Sequence, residues 1–482
     1  MIDLRPVAYV NGVLLVALGL AMLVPMAADM VAGNGHWKVF AQSAIITTAI
    51  GGLMALASAN GVSASLSIRQ TFVLTTLVWV LLPLFGALPF MLGITDATAA
   101  DAVFEAMSGF TTTGATVFVG LETLPAGLLL WRGIMQWLGG IGIIVMAMVF
   151  LPELKVGGMQ VFRSEAFETM GKILPRAAEI ARGISVIYIG LTLACALGYL
   201  AAGKTGFDAA VHAMTTVSTG GFANYDSSFG DYGAAVHYVA ILFMLGSALP
   251  YVRFVQLVGG DARPLLRDSQ VRVFLGIVAL ATAVLAVTVT LRFGGFDERV
   301  VREALFNVAS IITGTGFAMV DYMGWGEFAI TLIFFLGLIG GCAGSTSCSV
   351  KVFRYQILFA SIRAEIRRLQ MPRGVFTPRF EGRPLTDEVL DAVMAFFGTF
   401  VLSLGLFTVA LNLAGLDALT AVSGAATALA NIGPGLGEII GPAGNFAPLS
   451  DTAKWILTLA MLVGRLELMV VLVLFTARFW RD

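Results

Sequence analysis

Long apolar runs separated by short polar or glycine-rich breaks fill the chain. Two lead, at 7–31 and 39–59, and four pairs follow: 71–92 with 128–151, 184–202 with 235–257, 273–293 with 328–352, and 389–413 with 454–475. A helix of about twenty apolar residues crosses a hydrocarbon layer of roughly 30 Å, so the pattern predicts about ten transmembrane helices. The first run exceeds a signal-peptide core and lacks a clear cleavage site, which makes it an anchored helix. Between the members of each pair lies a shorter segment, 99–110 in the first, followed by a glycine turn. At about 1.5 Å per residue such a half-helix gets only partway across, and the loop after it must return to the side it left. Re-entrant backbone is tolerated only where protein or a water-filled cavity surrounds it. The expected fold is therefore an all-α polytopic membrane protein. It has two extra N-terminal helices (1–65) and four helix–half-helix–loop–helix repeats around a central pore, at 66–158, 159–260, 261–354 and 355–482, the last with a preceding cytoplasmic segment.

The turns themselves read Thr112-Thr113-Gly114, Ser218-Thr219-Gly220, Ile312-Thr313-Gly314 and Asn431-Ile432-Gly433, with the four glycines 106, 94 and 119 residues apart. Glycine permits φ values closed to other residues, so successive carbonyls can face a common axis. A dehydrated cation needs several such oxygens at close range without a full countercharge that would trap it. One small-residue run alone marks close helix packing as readily as an ion site; four at the same place in four units point to a ring.

Composition agrees with a chain that lives in lipid. Of 482 residues, 58% are hydrophobic and 12% charged, and the mean hydropathy is +0.89, too apolar to cover a water-facing globule. A net charge of -1 argues against a nucleic-acid partner, and the information lies in where the charges sit. Basic residues gather between units: Arg69; Lys155, Arg163, Lys172, Arg176 and Arg182; Arg253, Arg263, Arg267 and Arg272; Lys351 and Arg354 through Arg383; Arg478 and Arg481. Short cytoplasmic loops are enriched in such residues, so both termini are expected in the cytoplasm and the turns are expected to open outward. Acidic residues including Asp96, Asp101, Glu105, Asp208, Asp226, Asp231, Asp321, Glu327, Asp417 and Glu438 lie near the turns, where they would concentrate cations. Cys195, Cys342 and Cys348 show no metal-ligand spacing and read as packing residues.

Two features break the fourfold regularity. The second helix of the third unit is interrupted by Gly340, Gly341, Cys342, Ala343, Gly344, Ser345, Thr346, Ser347 and Cys348, with Lys351 at its end. Such a run suits a helix poorly, and composition alone allows a kink or close packing. Arg465 lies midway along the last apolar run, where an ionisable group usually faces a cavity or a partner. A pore-facing role would set a positive charge below the turns; pairing with Glu467 or with backbone carbonyls is the structural alternative. The segment 354–373 alternates basic residues with Ile357, Leu358, Ile362, Ile366 and Leu369, as an amphipathic helix on a membrane or a partner would.

These turns, read with Ser108 through Thr116, Ser218 through Phe222, Thr313 through Phe317, Asn431 through Gly435 and the two leading helices, resemble the Trk/Ktr/HKT superfamily of potassium transporters, most closely its bacterial Trk membrane subunits. The resemblance covers nearly the whole chain. It implies a bacterial inner-membrane protein that takes up potassium, with K+ held by backbone oxygens around Thr112, Thr113, Ser218, Thr219, Ile312, Thr313, Asn431 and Ile432. It also implies a loop at Gly340–Ser347 that blocks the pore, a homodimer, and cytoplasmic TrkA-type nucleotide-binding regulatory subunits. Related plant transporters that favour sodium place serine where Gly114 stands.

No nucleotide motif occurs, so no cofactor is expected in this chain beyond K+ as the transported ion. A secondary transporter would show inverted repeats and buried carboxylates, whereas these units run one way and only Glu467 reads as buried. An intramembrane enzyme would cluster catalytic groups, but His36, His212 and His237 are scattered near predicted helix ends.

Overall fold

The computed structural model describes residues 2–61, 66–149, 157–159 and 177–481. Lys155, Arg163, Lys172 and Arg176 lie outside the described residues. Helices make up nearly all of the regular structure. A leading hairpin consists of α1 (Arg5–Ala21), α2 (Leu23–Val31) and α3 (Trp37–Ser58). Gly12 and Gly51 pack backbone against backbone at its seam, where an added Cβ on either would meet the other's carbonyl oxygen at 2.7 Å.

Unit one follows as α4 (Ile68–Gly86), α5 (Leu88–Met91), the half-helix α6 (Ala99–Phe110) and α7 (Ala126–Val149). Unit two is α8 (Ala177–Ala201), the half-helix α9 (Gly206–Val217), α10 (Ala234–Ser247) and α11 (Tyr251–Val258). After α12 (Arg263–Arg267), unit three is α13 (Ser269–Phe293), the half-helix α14 (Glu298–Ile312), α15 (Glu327–Ile339) and α16 (Val352–Gln370). A two-residue hairpin, β1 (Arg379–Phe380) with β2 (Arg383–Pro384), leads into unit four. That unit is α17 (Asp387–Leu413), the half-helix α18 (Ala418–Ala430), α19 (Gly437–Ile440), α20 (Asp451–Arg465) and α21 (Met469–Leu474), with α22 (Ala477–Arg481) closing the chain.

Among the described residues seven helical stretches are long and apolar enough to cross a membrane: Arg5–Val31, Trp37–Gly61, Ile68–Met91, Ala126–Met146, Ala181–Ala201, Ser269–Phe293 and Asp387–Leu413. The other three apolar runs are helical but broken, each in the second helix of its unit. Run 235–257 bends by 98° between α10 and α11, where Pro250 lacks the N–H that would continue the helix. Run 328–352 stops at Ile339 and resumes at Val352, and run 454–475 breaks after Arg465.

The half-helices start on side-chain caps. Thr98 accepts from Asp101 N, Thr205 from Asp208 N, Asp297 from Val300 N, and Asp417 from Leu419 N and Thr420 N. Each cap satisfies orphan N–H groups at the N-terminal end of the half-helix. The same caps explain several of the acidic residues near the turns: Asp101, Asp208 and Asp417 serve helix ends, and Asp226 accepts from Gly120 N and Leu121 N at 2.7 and 3.1 Å. Interunit contacts sort the two ends of the bundle. Tyr238 meets Glu298 and Lys454 meets Asp101 at the turn end. At the other, Asp3 meets Gln70, Phe72 meets Phe479, and Ser269 N reaches Glu381.

Candidate functional site

Each half-helix ends by swinging one residue into the left-handed region: Thr112 (φ 53°), Thr219 (φ 52°), Gly314 (φ 78°) and Asn431 (φ 51°). The next N–H reaches back to the last turn, Thr113 N to Ser108 O (2.9 Å), Gly220 N to Thr215 O (2.8 Å) and Ile432 N to Thr427 O (2.9 Å), the bond that closes a Schellman cap. Thr111 with Thr113 and Thr313 with Thr315 form matching hydroxyl pairs at 2.8 and 2.7 Å. These marks align Thr112, Thr219, Gly314 and Asn431, and two residues on they align Gly114, Gly221, Gly316 and Gly433.

The equivalence expected from the turn motifs is thereby corrected in two units. Gly221 and Gly316, not Gly220 and Gly314, correspond to Gly114 and Gly433. Gly114, Gly221 and Gly316 have φ of 85°, 81° and 82°. Gly314 instead matches Thr112, and Ile312, expected two residues before the unit-three glycine, is the last residue of α14.

The four aligned glycines touch in a ring. A Cβ on Gly114 would collide with the Gly220 carbonyl, and one on Gly221 with the Thr315 carbonyl; on Gly316 it would lie 2.7 Å from Gly433 N, and on Gly433 3.2 Å from Gly114 O. The contacts pass from unit one to two, three, four and back to one, so the strands surround a single axis. Thr112, Thr113, Thr219, Thr315, Asn431 and Ile432 are all at most 3% exposed. Among the described residues no donor reaches their carbonyl oxygens. Buried backbone oxygens normally find a partner, and a bare set gathered at four adjoining turns could serve a cation. The negative ends of four helix dipoles converge there too. The carbonyls of Ser218 and Gly220 differ, for they accept from Thr219 Oγ1 (2.7 Å) and Gln136 Nε2 (2.6 Å).

Sequence reasoning missed the buttress behind the ring. Arg132 and Gln136 lie one turn apart on α7 and are 1% and 0% exposed. Arg132 bonds Glu105 (2.8 Å), the Ala223 carbonyl (2.8 Å) and Thr116 (3.2 Å). Asn431 Nδ2 joins units four and one by donating to Thr113 Oγ1 (3.1 Å) and the Met461 carbonyl (2.9 Å). The available signal was two strongly polar side chains, Arg132 and Gln136, at helical spacing inside an apolar span. Glu105, expected among cation-attracting surface charges, is fully buried against Arg132.

Beneath the ring runs the Gly340–Lys351 segment, which is neither a kink nor a helix. Gly340, Gly341, Gly344, Ser345, Thr346, Ser347 and Lys351 are all buried. The segment docks on the α10–α11 bend: Cys342 N donates to Ala248 O (2.9 Å), Thr346 Oγ1 to Ser247 O (3.0 Å) and Tyr251 N to Gly344 O (3.0 Å). Gly341 N is satisfied by Ser347 Oγ at 2.8 Å, and Ser345 Oγ donates to Cys342 O at 2.6 Å. Cys348, read as a packing residue, sits 3.6 Å from Thr112 Oγ1 and contacts the Arg465 guanidinium. Arg465 also donates to Gly139 O (3.3 Å) and faces the Trp79 ring at 5.5 Å. Glu467 does not pair with Arg465. A break at Leu466–Leu468, with φ of 59° and 50° at Glu467 and Leu468, turns the carboxylate toward Lys351 (3.6 Å) and Arg354. The cavity bounded by Cys348, Lys351, Asn431, Arg465 and Glu467 measures about 20 Å³, room for about one water.

A ring of four glycine turns at the ends of four half-helices, set among long apolar helices, belongs to a multi-pass membrane protein. Residues 36–481 match the family described as TrkH, cation transport protein, and the chain belongs to that family. It is 45% identical over 480 residues to the Trk system potassium uptake protein TrkI of Halomonas elongata, covering 99% of this chain and 97% of that one. Against Trk system potassium uptake protein TrkH of Escherichia coli (strain K12) the identity is 36% over 486 residues, covering 99% of each. The crystal structure of the potassium transporter TrkH from Vibrio parahaemolyticus superposes with a TM-score of 0.90 at 33% identity, covering 100% of both chains. Members of this family are transport proteins, and the chain is no enzyme.

Proposed function

We propose that this chain is the potassium-conducting membrane subunit of a Trk-type uptake system in a bacterial inner membrane. The observation that carries the reading is the set of buried, unpartnered carbonyls from Thr112, Thr113, Thr219, Thr315, Asn431 and Ile432 around the glycine ring. Potassium enters from the turn end, sheds its water, and is held by these oxygens; the potassium uptake named for the relatives supports the choice of ion. The basic loops at the opposite end support a cytoplasmic location for both termini. Conduction is controlled from below, where Gly340–Lys351 and Arg465 occupy the exit from the ring. Positive charge from Arg465 opposes a cation leaving it, and cytoplasmic TrkA-type nucleotide-binding subunits, acting on a homodimer, move the loop aside. The exposed face of α16, with Phe359, Ile362, Ile366 and Leu369 among arginines, supports contact with such a partner or with lipid.

The test is Gly114→Ser expressed in a transport-deficient host, with potassium and sodium uptake compared. The serine side chain collides with the Gly220 carbonyl, so uptake shifts toward sodium. An unchanged ratio overturns the reading.

A further inference from the structure

Nothing in the motif or the repeat accounts for Gln136. Its side-chain amide is buried inside α7 and makes two hydrogen bonds to one strand: Nε2 donates to Gly220 O at 2.6 Å, and Oε1 accepts from Phe222 N at 3.0 Å. The two bonds bracket Gly221, the ring glycine of unit two. Contact is so close that a Cβ on Gly220 would collide with the Gln136 amide, which explains two adjacent glycines where the other units need one. The carbonyl that Gln136 holds is also the atom against which Gly114 packs, so the amide stands behind the seam between units one and two. One turn earlier Arg132 fixes Ala223 O at 2.8 Å, lies 4.1 Å from the Phe222 ring centroid, and is itself anchored by Glu105.

We propose that Gln136 is a positioning residue for ion selectivity: by gripping Gly220 and Phe222 it fixes the orientation of the Gly221 segment and hence the width of the ring at the glycine level. Only a neutral group carrying both a donor and an acceptor meets a C=O and an N–H two residues apart. A carboxylate keeps the bond from Phe222 but sets oxygen against oxygen at Gly220, and an aliphatic side chain leaves both backbone groups unpaired in a dry site. In either case the unit-two strand is released to rotate, and a loosened ring favours K+ over Na+ less. The inference rests on the filter reading proposed above.

The experiment uses Q136M and Q136E in the full-length protein in liposomes, with KM for potassium, maximal flux and the potassium-to-sodium flux ratio measured from pH 5 to 9, and Gly114→Ser alongside. Q136M is expected to raise KM by on the order of tenfold, the equivalent of one or two lost buried hydrogen bonds, and to lower the ratio at every pH. Q136E is expected to recover toward wild type as pH falls, because a protonated carboxyl again offers one donor and one acceptor. A merely structural role would lower protein yield or maximal flux without that pH-dependent rescue. Wild-type KM and ratio in Q136M, or identical pH-independent losses in both variants, overturns the inference if Gly114→Ser still alters the ratio. If Gly114→Ser leaves the ratio unchanged, it is the filter reading that fails.

Discussion

Gly314 and Gly316 stand two residues apart in one turn and face different surroundings, which makes them the sharpest test of the ring register. A Cβ on Gly314 meets nothing closer than 3.5 Å, whereas one on Gly316 presses on Gly433 N at 2.7 Å. The position of Gly314 is occupied by Thr112, Thr219 and Asn431 in the other units, all left-handed. Asparagine tolerates that conformation at a cost of about 1 kcal/mol or less. Gly314→Asn is therefore expected to keep most potassium uptake and Gly316→Ala to abolish it or its selectivity; equal tolerance of both would contradict the alignment. The motif misplaced this register for a physical reason. Glycine is the residue expected at a strained position, yet the cap forces threonine and asparagine into it, and runs such as Gly220-Gly221 and Gly314-Thr315-Gly316 offer two candidates each. Lys204 shows a second kind of residue that the sequence hid. Its ammonium is buried among Tyr199, Phe229 and Tyr232, with ring centroids 3.8–4.5 Å away. Burial pulls its pKa down from 10.5 to about 7 while Asp208 opposes the shift. Between those two values the unfolded chain binds a proton that the folded chain lacks, so stability rises with pH from about 7 toward 10. Lys204→Met is expected to flatten that slope and to raise the melting temperature by a few degrees below pH 7, measured in detergent across this range.

Elements were legible where composition forces them and obscure where a distant partner does. The half-helix expected at 99–110 has those bounds in the structure, where a Thr98–Asp101 capping box opens it. The glycine–serine run in unit three announced an interruption. No such signal marks the break at Leu466–Leu468, where leucine, glutamate and methionine all favour helix; there Glu467 is drawn off the helix toward Lys351 and Arg354. The consequence is a coupled element. One side of the break presents Arg465 to Cys348, and the other ties the end of the same loop through Lys351. An added Cβ on Gly464 collides with the Leu429 carbonyl, as one on Gly139 does with Phe110, so Arg465 occupies the place that Gly140 fills in unit one. A position filled by glycine in unit one thus carries a guanidinium in unit four. Arg465→Gln removes the charge while keeping a hydrogen-bonding amide, and is expected to raise basal conductance in planar bilayers without any partner subunit. Equal or lower conductance would count against a charge barrier at this point.

Four units of unequal sequence assemble one axis, and the molecule as a whole bears on whether transport is passive or coupled to protons. Coupling requires a carboxylate in the pathway that can exchange its proton as the ion passes. Glu467 is the carboxylate whose burial the apolar runs predict; the structure buries others, each with a partner. Asp29 accepts from Gly127 N at 2.6 Å and meets His36 at 3.2 Å, Glu105 is bound to Arg132 at 2.8 Å, Asp208 accepts from Asn224 and Tyr225 at 2.8 and 3.0 Å, Asp268 is bound to Arg253 at 2.8 Å, Glu303 to Arg299 at 2.7 Å, and Glu467 to Lys351 and Arg354. Removing one partner of such a buried pair costs on the order of 3–5 kcal/mol, so none is poised to cycle between charged and neutral with every ion. The ring itself offers carbonyls and hydroxyls, neither of which changes its protonation state near neutral pH. Potassium flux into liposomes is therefore expected to follow the potassium gradient and membrane potential alone. With the potential clamped by an ionophore-set gradient, imposing a pH difference of two units in either direction should leave the reversal potential where the potassium gradient puts it. A shift of that potential with the proton gradient would mean that one of these pairs opens during transport, and Glu467, which alone borders both the loop and the cavity under the ring, is the first to substitute.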